Sequence, residues 1–256
     1  MARYETANTI INDPALEVGL VPATDPYASQ DEAFIQLRGL LTSAGRELCD
    51  MHNWSLLMEN YSVTTAEGDT GDYPLPSDFN RMINQTGWDQ NRHLPIGGPL
   101  SSQDWTYLEG RDLSSTTIYA SFRLEDGIFR IFPKPPPLPS GGATPGFQGI
   151  YVTFEYISGN WVSEAGSAPI YSGTKDRPTI GSDIILFQPI MMVKMLKMKF
   201  LSAKGFDSSG AANEFQLLFK ARTGQDEGSP VLSASGLRGF PFLNSYRNVG
   251  DTGFGQ

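Results

Sequence analysis

Cysteine occurs once in this chain, at Cys49, and histidine twice, at His52 and His93. A lone cysteine cannot close an intrachain disulfide, so nothing asks for an oxidising compartment. Two isolated histidines without a Cys/His cluster provide no zinc-type ligand set. Long apolar runs are missing too, since no stretch approaches the roughly 18–20 residues that span a membrane as a helix. The opening Met-Ala-Arg-Tyr-Glu has no long apolar core, so no signal peptide is expected and a cytosol-like compartment is. The Asn-x-Ser/Thr triplets at Asn53, Asn60 and Asn84 are then chance. Positive charge is scarce, with 19 Lys and Arg against 28 Asp and Glu, a net charge of −9 and a pI near 4.7. That balance argues against a surface that grips nucleic acid through its phosphates, and its simplest consequence is solubility.

Catalytic patterns are equally sparse. There is no Gly-x-x-x-x-Gly-Lys phosphate loop and no Gly-x-Ser-x-Gly elbow. Ser172-Gly-Thr-Lys175 matches Ser-x-x-Lys, but so short a pattern arises by chance and falls in a turn-rich stretch. Asp104, Glu109, Glu125 and Glu155 could supply a glycosidase-like carboxylate pair, but nothing pairs them, and solvated surface charge is the simpler reading. No cofactor and no catalytic residue is expected.

What is present is enough apolar material for a core, 39% of residues, with 27 glycines and 18 prolines that signal many turns and a sizeable β component. Thr9-Ile10-Ile11-Asn12-Asp13 starts a short helix or an extended arm. Ser29-Gln-Asp-Glu32 reads as a capping box with Ser29 as N-cap. Behind it Phe34, Leu37, Leu41, Ala44, Leu48 and Met51 recur at spacings of three and four, an apolar helix stripe that ends at Trp54. From Leu57 to Thr65 the period drops to two and a strand is expected. The prolines of Tyr73-Pro-Leu75-Pro76-Ser-Asp78-Phe79 force extended backbone, making a rigid corner whose Asp78 accepts amide N–H groups of the following turn. Ser101 to Leu108 is a short helix carrying Trp105. Residues 117–133 form a hairpin turning at Asp126-Gly127, residues 133–146 hold a stiff Pro-rich loop, and Phe147 to Ile157 is a further strand.

Helical patterning returns at Pro189, a good first helical residue, with Ile190, Val193, Leu196 and Phe200 on one face and Gly205 at its close. A second late helix runs from Ser208 to a C-cap at Gly224. These helices carry a local basic patch, including Lys194, Lys197 and Lys204, which reads either as a contact for an acidic partner or as an ordinary polar helix face. Residues 225–256 lose periodicity but keep Phe240, Phe242, Tyr246 and Phe254, more aromatics than a purely disordered tail carries. The four tryptophans, Trp54, Trp88, Trp105 and Trp161, are expected as core or interface anchors, with a sugar-binding platform as the rival reading. The expected fold is α+β: a helical bundle from the N-terminal and C-terminal helices, an inserted β-rich lobe and an extended C-terminal tail. The segments are 1–55, 56–182, 183–224 and 225–256.

Trp54, the Tyr73-x-Leu75-Pro76-x-Asp78-Phe79 corner, Leu94-Pro95 followed by Trp105, and the hairpin into Phe132-Pro133 occur in an order that resembles a known family. With Ile10-Ile11-Asn12-Asp13 and the Leu196-to-Gly205 helix before Phe206-Asp207, the chain is similar over most of residues 8–222 to podovirus-like head-to-tail adaptors of the tail tubular protein A type. The resemblance implies a structural protein of the virion, assembled in the host cytoplasm into a ring of 12 copies beneath the portal protein. It further implies contact with a next tail component, a nozzle or tail tube, and double-stranded DNA passing through the bore. An acidic lining would let that DNA slide without sticking. Lys194, Lys197, Lys204, Phe240, Phe242, Tyr246 and Phe254 are the candidate portal or subunit contacts, and residues 230–256 are expected to order on assembly. Trp54, Tyr73, Leu75, Pro76, Asp78, Phe79 and Trp105 form the structural corner. A carbohydrate-binding tail module, a cell-wall hydrolase and a stopper or neck protein of another layer are the alternatives.

Overall fold

A computed structural model describes residues 4–110, 120–140, 142, 149–167 and 173–226. Among them the chain is a mixed α+β fold with two main apolar cores. The tail after 226, and with it Phe240, Phe242, Tyr246 and Phe254, lies outside the described residues, as does part of the Pro-rich loop.

The first core is built on helices. Strand β1 (Glu5–Thr6) leads into α1 (Ala7–Glu17), where Thr6 is the N-cap and Ile10 and Ile11 are fully buried. The isoleucine-rich opening is therefore helix rather than arm. Helix α2 (Glu32–Met51) starts two residues later than the capping-box reading: Asp31 is the N-cap and accepts the Ala33 amide at 3.0 Å, while Ser29 Oγ accepts the Asp31 amide. The aspartate reaches the free amides with one acceptor, which satisfies the same need. Its buried stripe runs Phe34, Leu37, Leu41, Ala44, Leu48 and then turns to Cys49, leaving Met51, the last residue of the helix, exposed.

Helices α4 (Pro189–Ala203) and α5 (Ser209–Asp226) form an antiparallel pair, and α4 also packs on α1 and α2. Pro189 occupies the first turn and Gly205 closes α4 with φ +76°. The buried side of α4 is wider than one stripe, since Met191, Met192 and Met195 are buried beside Val193, Leu196 and Phe200. A helix touching α1, α2 and α5 has three sides to cover, and flexible methionines fill them. Gly224 lies inside α5 and not at its end, since the helix runs on at least to Asp226.

The second core lies between sheets. Strand β2 (Met58–Thr64) pairs antiparallel with β9 (Tyr151–Ser158), and β9 also pairs β4 (Phe79–Met82) and β5 (Trp88–Asp89), which carries β6 (Leu94–Pro95). A separate sheet orders β3 (Asp72–Pro74), β8 (Ile128–Phe132) and β7 (Ser121–Glu125). Asp126 and Gly127, at φ +50° and +74°, make the two-residue hairpin turn expected between β7 and β8. Pro74 is tolerated because β3 is an edge strand. Phe122, Phe129, Val152 and Phe154 from the two sheets form the core between them. Helix α3 (Ser102–Gly110) covers a small third cluster of Trp105, Leu108 and Phe132. Two short strands, β10 (Val162–Ser163) and β11 (Ile184–Ile185), join β1 under the helices, where Trp161 is fully buried.

Candidate interaction surfaces and the joint between the cores

Helix α2 ends without glycine and without a basic residue in its last turn, so its terminal carbonyls need partners from elsewhere. Two side chains supply them. The Trp54 indole N–H donates to Leu48 O at 2.7 Å, and the ring meets Phe187 and Phe219 edge-on. The Arg81 guanidinium, on β4, donates to Cys49 O at 2.8 Å and His52 O at 2.7 Å, and to Asn53 Oδ1 at 3.1 and 3.2 Å. A register shift between Phe79 and Arg81 marks a bulge in β4, a device that re-aims a side chain, and here it accompanies an arginine turned onto the helix end. Asn80 adds a hydrogen bond to Asp50 at 3.0 Å. One strand of the sheet thus caps the helix that anchors the other core.

The corner residues do not act as one unit. Trp54 belongs to the helical core and Trp105 to the third cluster, while Tyr73, Leu75 and Phe79 pack on the core between the sheets. The backbone of Pro76 accepts the Phe79 amide at 3.0 Å, and Leu75 N–H donates to Gly127 O at 2.8 Å. Asp78 differs from the expected amide acceptor: its carboxylate takes the Ser158 hydroxyl at 2.7 Å and the Tyr156 hydroxyl at 3.2 Å. The β9 hydroxyls stand directly opposite, so they claim it before the turn amides do. Burial, reinforced by the Asp78 charge, pushes the Tyr156 phenol well up, and burial with Asp69 does the same to Tyr73. Both phenols stay protonated and act as donors, Tyr73 to Asp69 at 2.8 Å.

The basic patch is largely engaged within the chain. Lys194 bridges Glu17 and Glu214, and Lys197 binds Glu17 at 2.8 Å. Burial works against ionised Glu17, but Lys197 and Lys194 hold its carboxyl below the ordinary range. Lys199 pairs with Glu47. Lys204 stands apart, exposed over the Phe200 ring at 5.6 Å. The Lys175 of the Ser-x-x-Lys pattern is committed to Asp183 and Glu164, both at 3.1 Å, while Ser172 is outside the described residues. Asp183 is fully buried; burial raises its carboxyl, but the Thr179 and Ile180 amides and Lys175 hold it below the usual range. Of the four tryptophans only Trp88 reaches solvent, 42% exposed, so no tryptophan platform exists. Among the described residues no group of three or more His, Cys, Asp or Glu could hold a metal ion, and no helix is long and apolar enough to cross a membrane.

Sequence reasoning missed Arg81 and Asp226. Asp226 accepts the Ser55 amide at 2.9 Å and the Ser55 hydroxyl, and lies 3.4 Å from His52. It ties the end of α5 to the turn that follows α2, a pairing 171 residues apart that no local pattern announces.

Side chains invested in fastening one element to another, with Lys194, Lys197 and Lys199 paired within the chain, describe a structural joint. The model of the SU10 adaptor protein family matches residues 6–228. The chain belongs to that family, structural adaptors of bacteriophage found at the head–tail junction of the virion. None of the curated proteins searched matches it.

Proposed function

We propose that this chain forms a ring of 12 copies that joins the portal protein to the next tail component, a nozzle or tail tube, and encloses part of the DNA channel. The reading follows the tail tubular protein A arrangement. The helices with segments 1–55 and 183–224 make a bundle facing the portal, and segment 56–182 makes a β-rich lobe facing the tail. The family match across 6–228 carries the proposal. The joint at Arg81 supports it, because a part that transmits load between two partners needs its two cores fastened together. The exposed Glu59, Asp126 and Glu155 supply acidic groups for a bore that repels phosphate, in keeping with the net charge of −9.

The test is the mass of the complex formed with the portal protein of the same genome. Native mass spectrometry giving portal plus 12 copies is the expected result. A chain that stays monomeric beside an intact portal contradicts it. Changing Glu59, Asp126 and Glu155 together to lysine is expected to slow DNA ejection, and unchanged ejection kinetics would remove the acidic-bore assignment.

A further inference from the structure

An apolar groove opens at the C-terminal end of α4. Val18 and Leu20 from the end of α1 form one wall, Phe200 and Leu201 the other, Phe206 stands at its mouth, and Lys204 lies on the rim. The groove encloses about 460 Å³. Phe206 is 64% exposed, and Leu16 and Val21 nearby are exposed as well. Surface apolar groups that gather like this mark sites where another chain sits.

The occupant is suggested by where the described chain stops. Helix α5 runs antiparallel to α4, so Asp226 lies at the α4 N-terminal end, beside Pro189 and Met191. The 18 residues of α5 place that exit about 27 Å from the groove end. Beyond it come 30 residues that include Phe240-Pro241-Phe242-Leu243. The three large apolar side chains of this strip match the apolar lining of the groove. Phe240 is the fourteenth residue after Asp226, a reach of up to about 50 Å.

We infer that the Phe240–Leu243 strip of one copy seats in the α1–α4 groove of the neighbouring copy. The inference rests on the ring proposed above. A return to the chain's own groove would run along α5 over the exposed polar Asn213, Gln216 and Lys220, where Leu217 is the one large apolar side chain well exposed to hold it. An arm leaving one end and a groove at the other are different surfaces, so their contact is head-to-tail and repeats around a ring.

Two full-length variants, Lys204→Cys on the groove rim and Asn244→Cys beside the strip, are mixed in equal amounts under mild oxidation. The natural Cys49 does not compete, because it is buried and burial pushes its thiol up to about 12. A cross-link between the two variants is expected, and adding Phe242→Ser to the arm is expected to cut its yield about tenfold, as loss of an aromatic anchor does. No cross-link in the mixture overturns the inference, and so does a bridge that forms only within a chain carrying both cysteines. Imaging the same sample with the portal separates the two claims. Rings on the portal without the cross-link leave the adaptor reading standing and remove this one. Cross-linked chains that ignore the portal do the reverse.

Discussion

Replacing Arg81 is the most informative single perturbation of the joint between the cores. Arg81→Ala removes two short bonds to the carbonyls of Cys49 and His52 at the end of α2, at 2.8 and 2.7 Å, and two longer ones to Asn53. A hydrogen bond involving a charged group contributes about 1.5–3 kcal/mol, and the carbonyls left behind lose a partner. The side chain is 31% exposed, so water recovers part of the loss. A net cost of about 2–3 kcal/mol follows, equivalent to a Tm lower by roughly 5–10 °C for a chain of this size. Arg81→Lys separates geometry from charge. A lysine keeps the favourable charge at the helix C-terminus, about 0.3–1 kcal/mol, but one ammonium cannot span both carbonyls and Asn53 as the guanidinium fork does. Calorimetry on the three proteins at neutral pH is expected to rank arginine well above lysine and lysine slightly above alanine. Full rescue by lysine would show that only charge matters there. An alanine variant within about 0.5 kcal/mol of the parent, the scale of ordinary surface substitutions, would refute the cap altogether.

Gly45→Ala is expected to lower stability by about 3 kcal/mol, because a Cβ there overlaps the fully buried Trp161 indole; urea unfolding that matches the parent would contradict this contact. Asp183→Asn is expected to destabilise the protein at neutral pH, with the deficit shrinking as pH falls below about 4. The folded carboxyl is held below its unfolded value, so its contribution is present above the unfolded pKa and lost on acidification through the folded one. Thermal melts of both proteins across pH 2.5–7 are roughly the range needed, and a constant difference would show that Asp183 is not linked in this way. Cys49 is expected to resist a thiol reagent at about pH 8 in the folded state and react on unfolding, since both access and ionisation are suppressed. Rapid labelling of native protein would contradict its burial.

The elements with a strong local period were legible in the sequence. The α2 stripe, the Asp126-Gly127 hairpin, Pro189 opening α4 and the β9 alternation all appear where their residues place them. Two of the errors lie at helix ends. Ser29 and Asp31 both offer an N-cap acceptor, and only the direction of the incoming chain decides between them. Gly224 looked like a stop, yet the partner of Asp226 is Ser55, far away in the chain. Asp78 reads as an acceptor for the turn amides, but its donors are Tyr156 and Ser158, which reach it only through the sheet. Arg81 carried no signal at all, since an arginine after a proline-rich corner reads as surface charge until β4 and α2 are seen together. The lysines show the opposite limit. Lys194 and Lys197 read as a patch in one dimension, but Glu17, from the other end of the chain, neutralises them in three.

Imaging the purified protein alone and mixed with the portal protein of the same genome tests the central claim most directly. Rings that cap the narrow end of the portal in the mixture are the predicted result. Particles that remain single chains beside bare portals, at concentrations where the protein is folded, would contradict the adaptor account.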